Sequence, residues 1–324
     1  MECSNILLPS NLFGDLPILK IRCTVRLRSN MLAGSYLGSA WRGLIGWEMK
    51  KHICPFDVRA NCNSCVIKEH CPYYLLLEKK TSFPGLYNSP RGYILYSSPL
   101  DSDNCVFLDI SLFGSCTKLL ALIVKCVLSG QKTGLGAMRE AYDLRALEQI
   151  LPDGSHVPID FGQDQTPVTL ETATLKEWLN SMDACRDSRM IIHLITPLRL
   201  RKQGKYLGDF ELEFFLCCVA RRLEALNCIF NNDKPIGKDV WSALKRRFRG
   251  SEDTKSNVKW VDFGRYSSRQ RAHILLGGLV GSVEMSEIDS LHQRWLRAAS
   301  IVHVGKGAAM GLGKIVITNG KTGR

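Results

Sequence analysis

GQKTGLGAMREAYDL, from Gly130 to Leu144, and GKGAAMGLGKIVI, from Gly305 to Ile317, echo one another across half the chain. Each carries G-L-G ahead of a strand-like segment and follows an apolar run of helical character. Glycine turns a chain sharply at little steric cost, so a repeated G-L-G between helix and strand reads as one junction used twice. The segments that lead up to the two junctions also come in the same order.

Ahead of the first junction, LKIRCTVRLR within Leu16 to Arg28 alternates apolar and basic residues, which predicts a strand with one wet, basic face. Leu37, Trp41, Leu44 and Ile45 then recur at helical spacing, so a helix should pass through Trp41 and reach about His52. CVFLDISLFG reads as a further strand and LLALIVKCVL as a buried helix. Ahead of the second junction, RMIIHLITPLRLRKQG is strand-like, EFFLCCVARRLEALNCIF helical, HILLGGLVGSVEM glycine-broken strand, and HQRWLRAAS helical. Between the halves, Pro152, Gly154, Pro158 and Pro167 punctuate a polar stretch. The expectation is α+β with tandem ferredoxin-like (RRM-like) domains. The first spans 1–150 with a Cys-rich insertion at 54–71, a linker region spans 151–187, and the second spans 188–324 with a C-terminal Gly-rich loop.

A chain of 324 residues that is 45% hydrophobic and 23% charged can bury two cores, which excludes global disorder. No leading segment has signal-peptide character, and no apolar run reaches the ~18 residues of a membrane span. A cytoplasmic protein without a membrane partner is expected. Forty-three Lys and Arg against thirty-one Asp and Glu give a net charge of +12, which favours a polyanionic partner such as nucleic acid.

Ten of the thirteen cysteines fall into two groups. Cys23, Cys116, Cys126, Cys217, Cys218 and Cys228 lie in or beside apolar runs, where a thiol behaves as a small hydrophobe. Cys54, Cys62, Cys65 and Cys71 instead form C-x7-C-x2-C-x5-C among polar and turn residues, a ligand set for structural zinc or, second, an iron–sulfur cluster. The other reading is a cysteine-rich loop with no ligand.

The last Gly-rich segment is neither a P-loop, since Lys314 precedes Ile315, nor a dinucleotide fingerprint, since a helix-like stretch comes before it. Nucleotide hydrolysis and hydride transfer lose support. Gly305, Gly307, Gly311 and Gly313 would let backbone approach a phosphate, with Lys306 and Lys314 supplying charge. In WVDFGRYSSRQR, Arg265, Arg269 and Arg271 suit phosphates, Tyr266 suits a stacked base, and Gln270 suits a base edge. Lys245, Arg246 and Arg247 add a basic segment. Acidic residues are scattered, unlike a two-metal nuclease. An RNase needs no metal if it aligns a ribose hydroxyl with the adjacent phosphate and moves protons through His, Tyr or Lys. His52, at the end of the first helix, and His303, at the Gly-rich loop, are the histidine candidates, with Tyr266 beside them. His193 reads as internal, and His70 as an alternative ligand among the cysteines.

Across nearly its full length the chain resembles the CRISPR-associated repeat-processing endoribonucleases of the RAMP superfamily, in the branch with a cysteine-bearing N-terminal half. The landmarks are Trp41-Arg42-Gly43, Cys71-Pro72-Tyr73, Gly134-Leu135-Gly136, Thr196-Pro197-Leu198-Arg199-Leu200, Arg265 to Gln270, and His303-Val304-Gly305-Lys306-Gly307 leading into Gly311-Leu312-Gly313. The resemblance implies binding and cutting of a CRISPR precursor transcript within its repeats by 2′-hydroxyl attack, with no cofactor needed for cleavage. It further implies a cyclic phosphate on the upstream product, retention of mature guide RNA, and other subunits of an effector complex as partners. A His near the first helix is the acid or base in similar enzymes, which points to His52. Ala308-Ala309 replaces bulkier or hydroxyl residues in the last loop. The alternative is a non-cleaving RNA-binding subunit of the same complex.

Overall fold

The computed structural model describes residues 6–29, 32, 36–79, 83, 90–160, 170–182, 189–249, 254–262, 264–267 and 272–319. They form two compact units, each built as βαββαβ.

In the first unit the order is β1 (Pro17–Leu27), α1 (Gly38–Ile53), β2 (Tyr93–Ser97), β3 (Cys105–Phe113), α2 (Leu120–Thr133) and β4 (Tyr142–Ile150). The strands lie in the order β2-β3-β1-β4, antiparallel throughout, and β5 (His156–Pro158) extends the edge beside β4. This is the ferredoxin-like arrangement. The predicted alternation in β1 is real: Leu19, Ile21, Cys23, Val25 and Leu27 are buried, while Lys20, Arg22, Thr24 and Arg26 line the other face. On that open face Arg22 makes a two-pronged ion pair to Asp109 at 2.7 and 2.9 Å and lies over the Phe107 ring. Trp41, fully buried on α1, meets Tyr142 edge-on at 5.1 Å.

The second unit repeats the plan after the capped helix α3 (Leu175–Ser181), whose N-cap Thr174 and Glu177 bond each other reciprocally. Its elements are β6 (Met190–Leu198), α4 (Leu212–Phe230), α5 (Lys238–Phe248), β7 (Thr254–Val261), β10 (Gly278–Met285), α6 (Ser290–Val302) and β11 (Ile315–Asn319), while of β8 (Gly264–Ser267) and β9 (Ala272–Leu275), which follow β7 in the chain, the residues Arg265–His273 group with the first unit. The main sheet runs β7-β10-β6-β11, the strand order of the first unit again, while β8 and β9 pair as a separate hairpin. α5 is an insertion docked through Trp241 Nε1, which donates to the buried Glu224 carboxylate at 3.2 Å.

Packing groups more of the chain with the second unit than an N-terminal domain of 1–150 and a linker of 151–187 would suggest. The described residues before Pro17 belong to it, because Phe13 packs on Trp295 and Trp295 Nε1 donates to the Leu7 carbonyl. α3 belongs to it as well, since Arg294 and Arg297 donate to the carbonyls of Leu179 and Met182. Part of the expected linker is therefore structured, as β5 and α3.

The two G-L-G junctions occupy equivalent positions, between the second helix and fourth strand of each repeat. Gly134 and Gly136 have φ of +81° and +74°, and Gly311 and Gly313 have +86° and +66°. A Cβ on Gly134 would lie 2.2 Å from the Arg139 carbonyl oxygen, and one on Gly313 only 1.8 Å from that of Val304. Both the positive φ and the contact therefore demand glycine.

Candidate active site and nucleic-acid interface

α1 carries Glu48, Lys51 and His52 on its last turns, and α2 faces them with Ser129 and Thr133. Glu48 is buried, yet it accepts from Thr133 Oγ1 at 2.5 Å, Lys51 Nζ at 2.9 Å and Ser129 Oγ at 2.9 Å. Burial alone would raise its pKa, but the Thr133, Lys51 and Ser129 hydrogen bonds outweigh it and hold the carboxyl below its ordinary value. His52 is exposed, and its Nε2 lies 2.9 Å from Ser129 Oγ.

The other histidines are placed differently. His303 is buried at 6% exposure, with φ of +51° at the end of α6. Its expected role as a second catalyst is corrected by that position: it closes a helix inside the unit rather than facing a substrate. His292 is buried and bonded to Asp289 at 2.7 Å. His193, read from sequence as internal, instead lies on the open face of the second sheet, 3.0 Å from Thr318 Oγ1. His156 sits at the sheet edge, 3.4 Å from Glu148.

The Gly-rich loop also differs from expectation. The N–H of Lys306 donates to the Arg199 carbonyl, that of Gly313 to Pro197, and those of Met310 and Leu312 to Gly307. Thr196 Oγ1 donates to the Gly311 carbonyl at 2.8 Å and accepts from the Lys314 N–H at 2.9 Å. Gly311 and Gly313 are buried, so their expected contact with RNA is corrected; they let this loop close against its own strands. A Cβ on Gly305 would approach the Arg199 carbonyl to 2.7 Å, so that glycine also serves chain-to-chain packing. Lys306 is exposed, Gly305, Gly307 and Lys314 are half-buried, and these remain on the accessible side of the loop.

Next to that loop is a cluster the sequence reading did not assemble. Arg201, Lys202, Lys205 and Tyr206 form a two-stranded hairpin just after β6. Tyr206 packs against Trp260 of β7 at 5.7 Å and lies under Arg199 and Arg201 at 5.1 and 5.6 Å. Trp260 remains 38% exposed. Aromatic faces interleaved with guanidinium groups are a stacking surface for unpaired bases. The clue was present in RKQGKY, whose Gln-Gly turn between basic residues was read only as the end of a strand.

Of the remaining expected RNA contacts, Lys245, Arg246 and Arg247 are exposed on the last turn of α5, and Arg247 pairs with Asp289 at 2.9 Å. Arg265 and Tyr266 lie on β8, where the backbone alone is described. Arg269, Gln270 and Arg271 lie outside the described residues.

Cys54, Cys62, Cys65 and Cys71 lie half-buried on one loop. Among the described residues no three His, Cys, Asp or Glu side chains converge closely enough to hold a metal ion. The four thiols remain the donor set expected for zinc or an iron–sulfur cluster. Within the loop Lys50 Nζ donates to the Val58 and Ala60 carbonyls, Lys68 Nζ to the Asn63 carbonyl, and Lys79 pairs with Glu69. Of the hydrophobic cysteines, Cys23, Cys116 and Cys126 are buried, and burial pushes the Cys116 and Cys126 thiols up to about 12.

A family model described as CRISPR-associated endoribonuclease Cas6 matches residues 192–315, and one described as an N-terminal domain matches residues 16–171. Among solved structures, a Cas6 product complex is 14% identical with a TM-score of 0.56, covering 93% of this chain and 99% of that one. Thermus thermophilus Cas6 is 13% identical with a TM-score of 0.54, covering 94% and 99%. A partial Cas6-RT-Cas1–Cas2 complex is 14% identical with a TM-score of 0.53, covering 97% of this chain and 47% of that one. No curated protein matches. At such identity the solved structures support the tandem ferredoxin-like fold. The segment from β6 to the start of β11 matches the CRISPR-associated endoribonuclease Cas6 family, and the whole chain shares the fold of the solved Cas6 structures.

Proposed function

We propose that this Cas6-family endoribonuclease cuts CRISPR precursor RNA within its repeats without a metal ion, with His52 as the proton acceptor. His52 removes the proton of a ribose 2′-hydroxyl, and the oxygen attacks the adjacent phosphorus. The bond to the 5′-oxygen of the next nucleotide breaks, and that oxygen takes up a proton. The products are a 2′,3′-cyclic phosphate and a 5′-hydroxyl, so no water or cofactor is consumed. Arg201, Tyr206, Trp260, Lys306 and the basic end of α5 hold the strand by charge and stacking. Mature guide RNA stays on the protein, and other subunits of an effector complex take it from there.

The observation that carries the assignment is the placement of His52: exposed at the end of α1, with one ring nitrogen engaged by a hydroxyl, while His292 and His303 are buried. Single-turnover cleavage of end-labelled repeat RNA in chelator tests it. His52→Ala should slow the cut by about 10²- to 10⁴-fold, the usual size of an acid–base contribution, with RNA affinity retained. Unchanged cleavage by that variant would remove His52 from the mechanism.

A further inference from the structure

Ser129 has one hydroxyl proton and three polar neighbours. Glu48 Oε2 lies at 2.9 Å, the Cys126 carbonyl oxygen at 3.3 Å, and His52 Nε2 at 2.9 Å. A carboxylate and a carbonyl only accept, so the proton goes to one of them and Ser129 Oγ presents a lone pair to the imidazole. His52 Nε2 must therefore carry hydrogen, which leaves Nδ1 as its basic nitrogen. Glu48 is itself fixed, with Thr133 and Lys51 on its other oxygen. The chain of contacts crosses from α1 to α2 and back, so the ring direction is set by the packing of two helices rather than by an exposed side chain's own rotamer.

We propose that Ser129, backed by Glu48, is a positioning residue for the cleavage reaction: it selects the Nε2–H form of His52 and holds Nδ1 toward the RNA. This rests on the His52 reading above. The hydroxyl touches no substrate and exchanges no proton with it. Its contribution is the removal of the wrong tautomer and of ring rotation, each of which would leave the acceptor nitrogen misplaced.

The test compares Ser129→Ala, Ser129→Thr and Ser129→Val in the full chain, with His52→Ala as reference. Thr and Val have the same shape and differ in the hydroxyl, so a packing fault would affect both. Three quantities are read: the single-turnover rate at saturating protein, the RNA Kd, and long-range ¹H–¹⁵N correlations of the His52 ring, assigned by their loss in His52→Ala. The expected result is one tautomer in the unmodified protein and in Ser129→Thr. Ser129→Ala and Ser129→Val should show an averaged pair and cut on the order of tenfold more slowly, the loss expected of a misoriented proton acceptor, with Kd within about twofold. If His52→Ala is inactive but Ser129→Val keeps the normal rate and tautomer, the positioning role is wrong while the His52 reading stands. If His52→Ala cuts normally, both fall. Equal slowing of Thr and Val would also overturn the proposal, because a hydroxyl-independent effect is packing.

Discussion

Trp41 and Glu48, about two turns apart on α1, divide stability from chemistry. Trp41 is fully buried against Tyr142, so Trp41→Ala should cost about 3–5 kcal/mol in denaturant unfolding, as large-to-small core changes do. Seven residues further on, Glu48 is equally enclosed, but its donors hold its pKa below the ordinary 4.5. A carboxyl depressed in the folded state adds stability that is complete above its unfolded value and disappears as pH falls through the folded one. Glu48→Gln should therefore be less stable than the unmodified protein at neutral pH, and the gap should narrow below about pH 4.5. A constant gap across urea titrations at both pH values would show that the Glu48 charge is unimportant to the fold. At this scale the sequence located His52 from its position at a helix end, whereas Glu48 and Ser129 were invisible. Each lies among apolar neighbours in sequence and acquires meaning only when α1 and α2 face each other.

The elements that periodicity identified are those with one buried face. β1 shows strict alternation because its other face is open, and α1, α2, α4 and α6 were placed because core residues recur along them. β7 escaped because its residues are exposed or half-buried, leaving no apolar alternation, and its Trp260 reads in sequence only as the start of the aromatic and basic cluster that ends at Arg271. The glycine echo fixed the duplication correctly but suggested the wrong neighbour: the close approach at Gly305 and Gly313 is to the protein's own backbone. Gly313→Ala should therefore destabilise the protein by at least about 1–3 kcal/mol through forced positive φ alone, with the Val304 contact adding to it. A melting temperature unchanged by this substitution would contradict the closed-loop geometry. The loop that carries the four cysteines is held by backbone-directed lysines, Lys50 and Lys68, which spacing alone did not reveal.

At the scale of the whole chain, two βαββαβ units carry a net charge of +12, which favours a polyanionic partner. Among the described residues no helix is long and apolar enough to cross a membrane. Affinity for repeat RNA should fall steeply with salt, with a log–log slope of about −0.7 per phosphate neutralised. Trp260→Ala should weaken binding by about 1–3 kcal/mol with little change in that slope, because stacking releases no counterions. Loss of slope without loss of affinity would assign Trp260 elsewhere. In the proposed reaction the 2′-hydroxyl of the substrate is the nucleophile. A repeat RNA carrying one 2′-deoxyribose immediately upstream of the cut, incubated in chelator beside the unmodified RNA, tests this. The unmodified strand should be cut and end in a 2′,3′-cyclic phosphate, and the deoxy strand should stay whole although bound. Cleavage of the deoxy strand at the same bond, or a requirement for added metal, would contradict it.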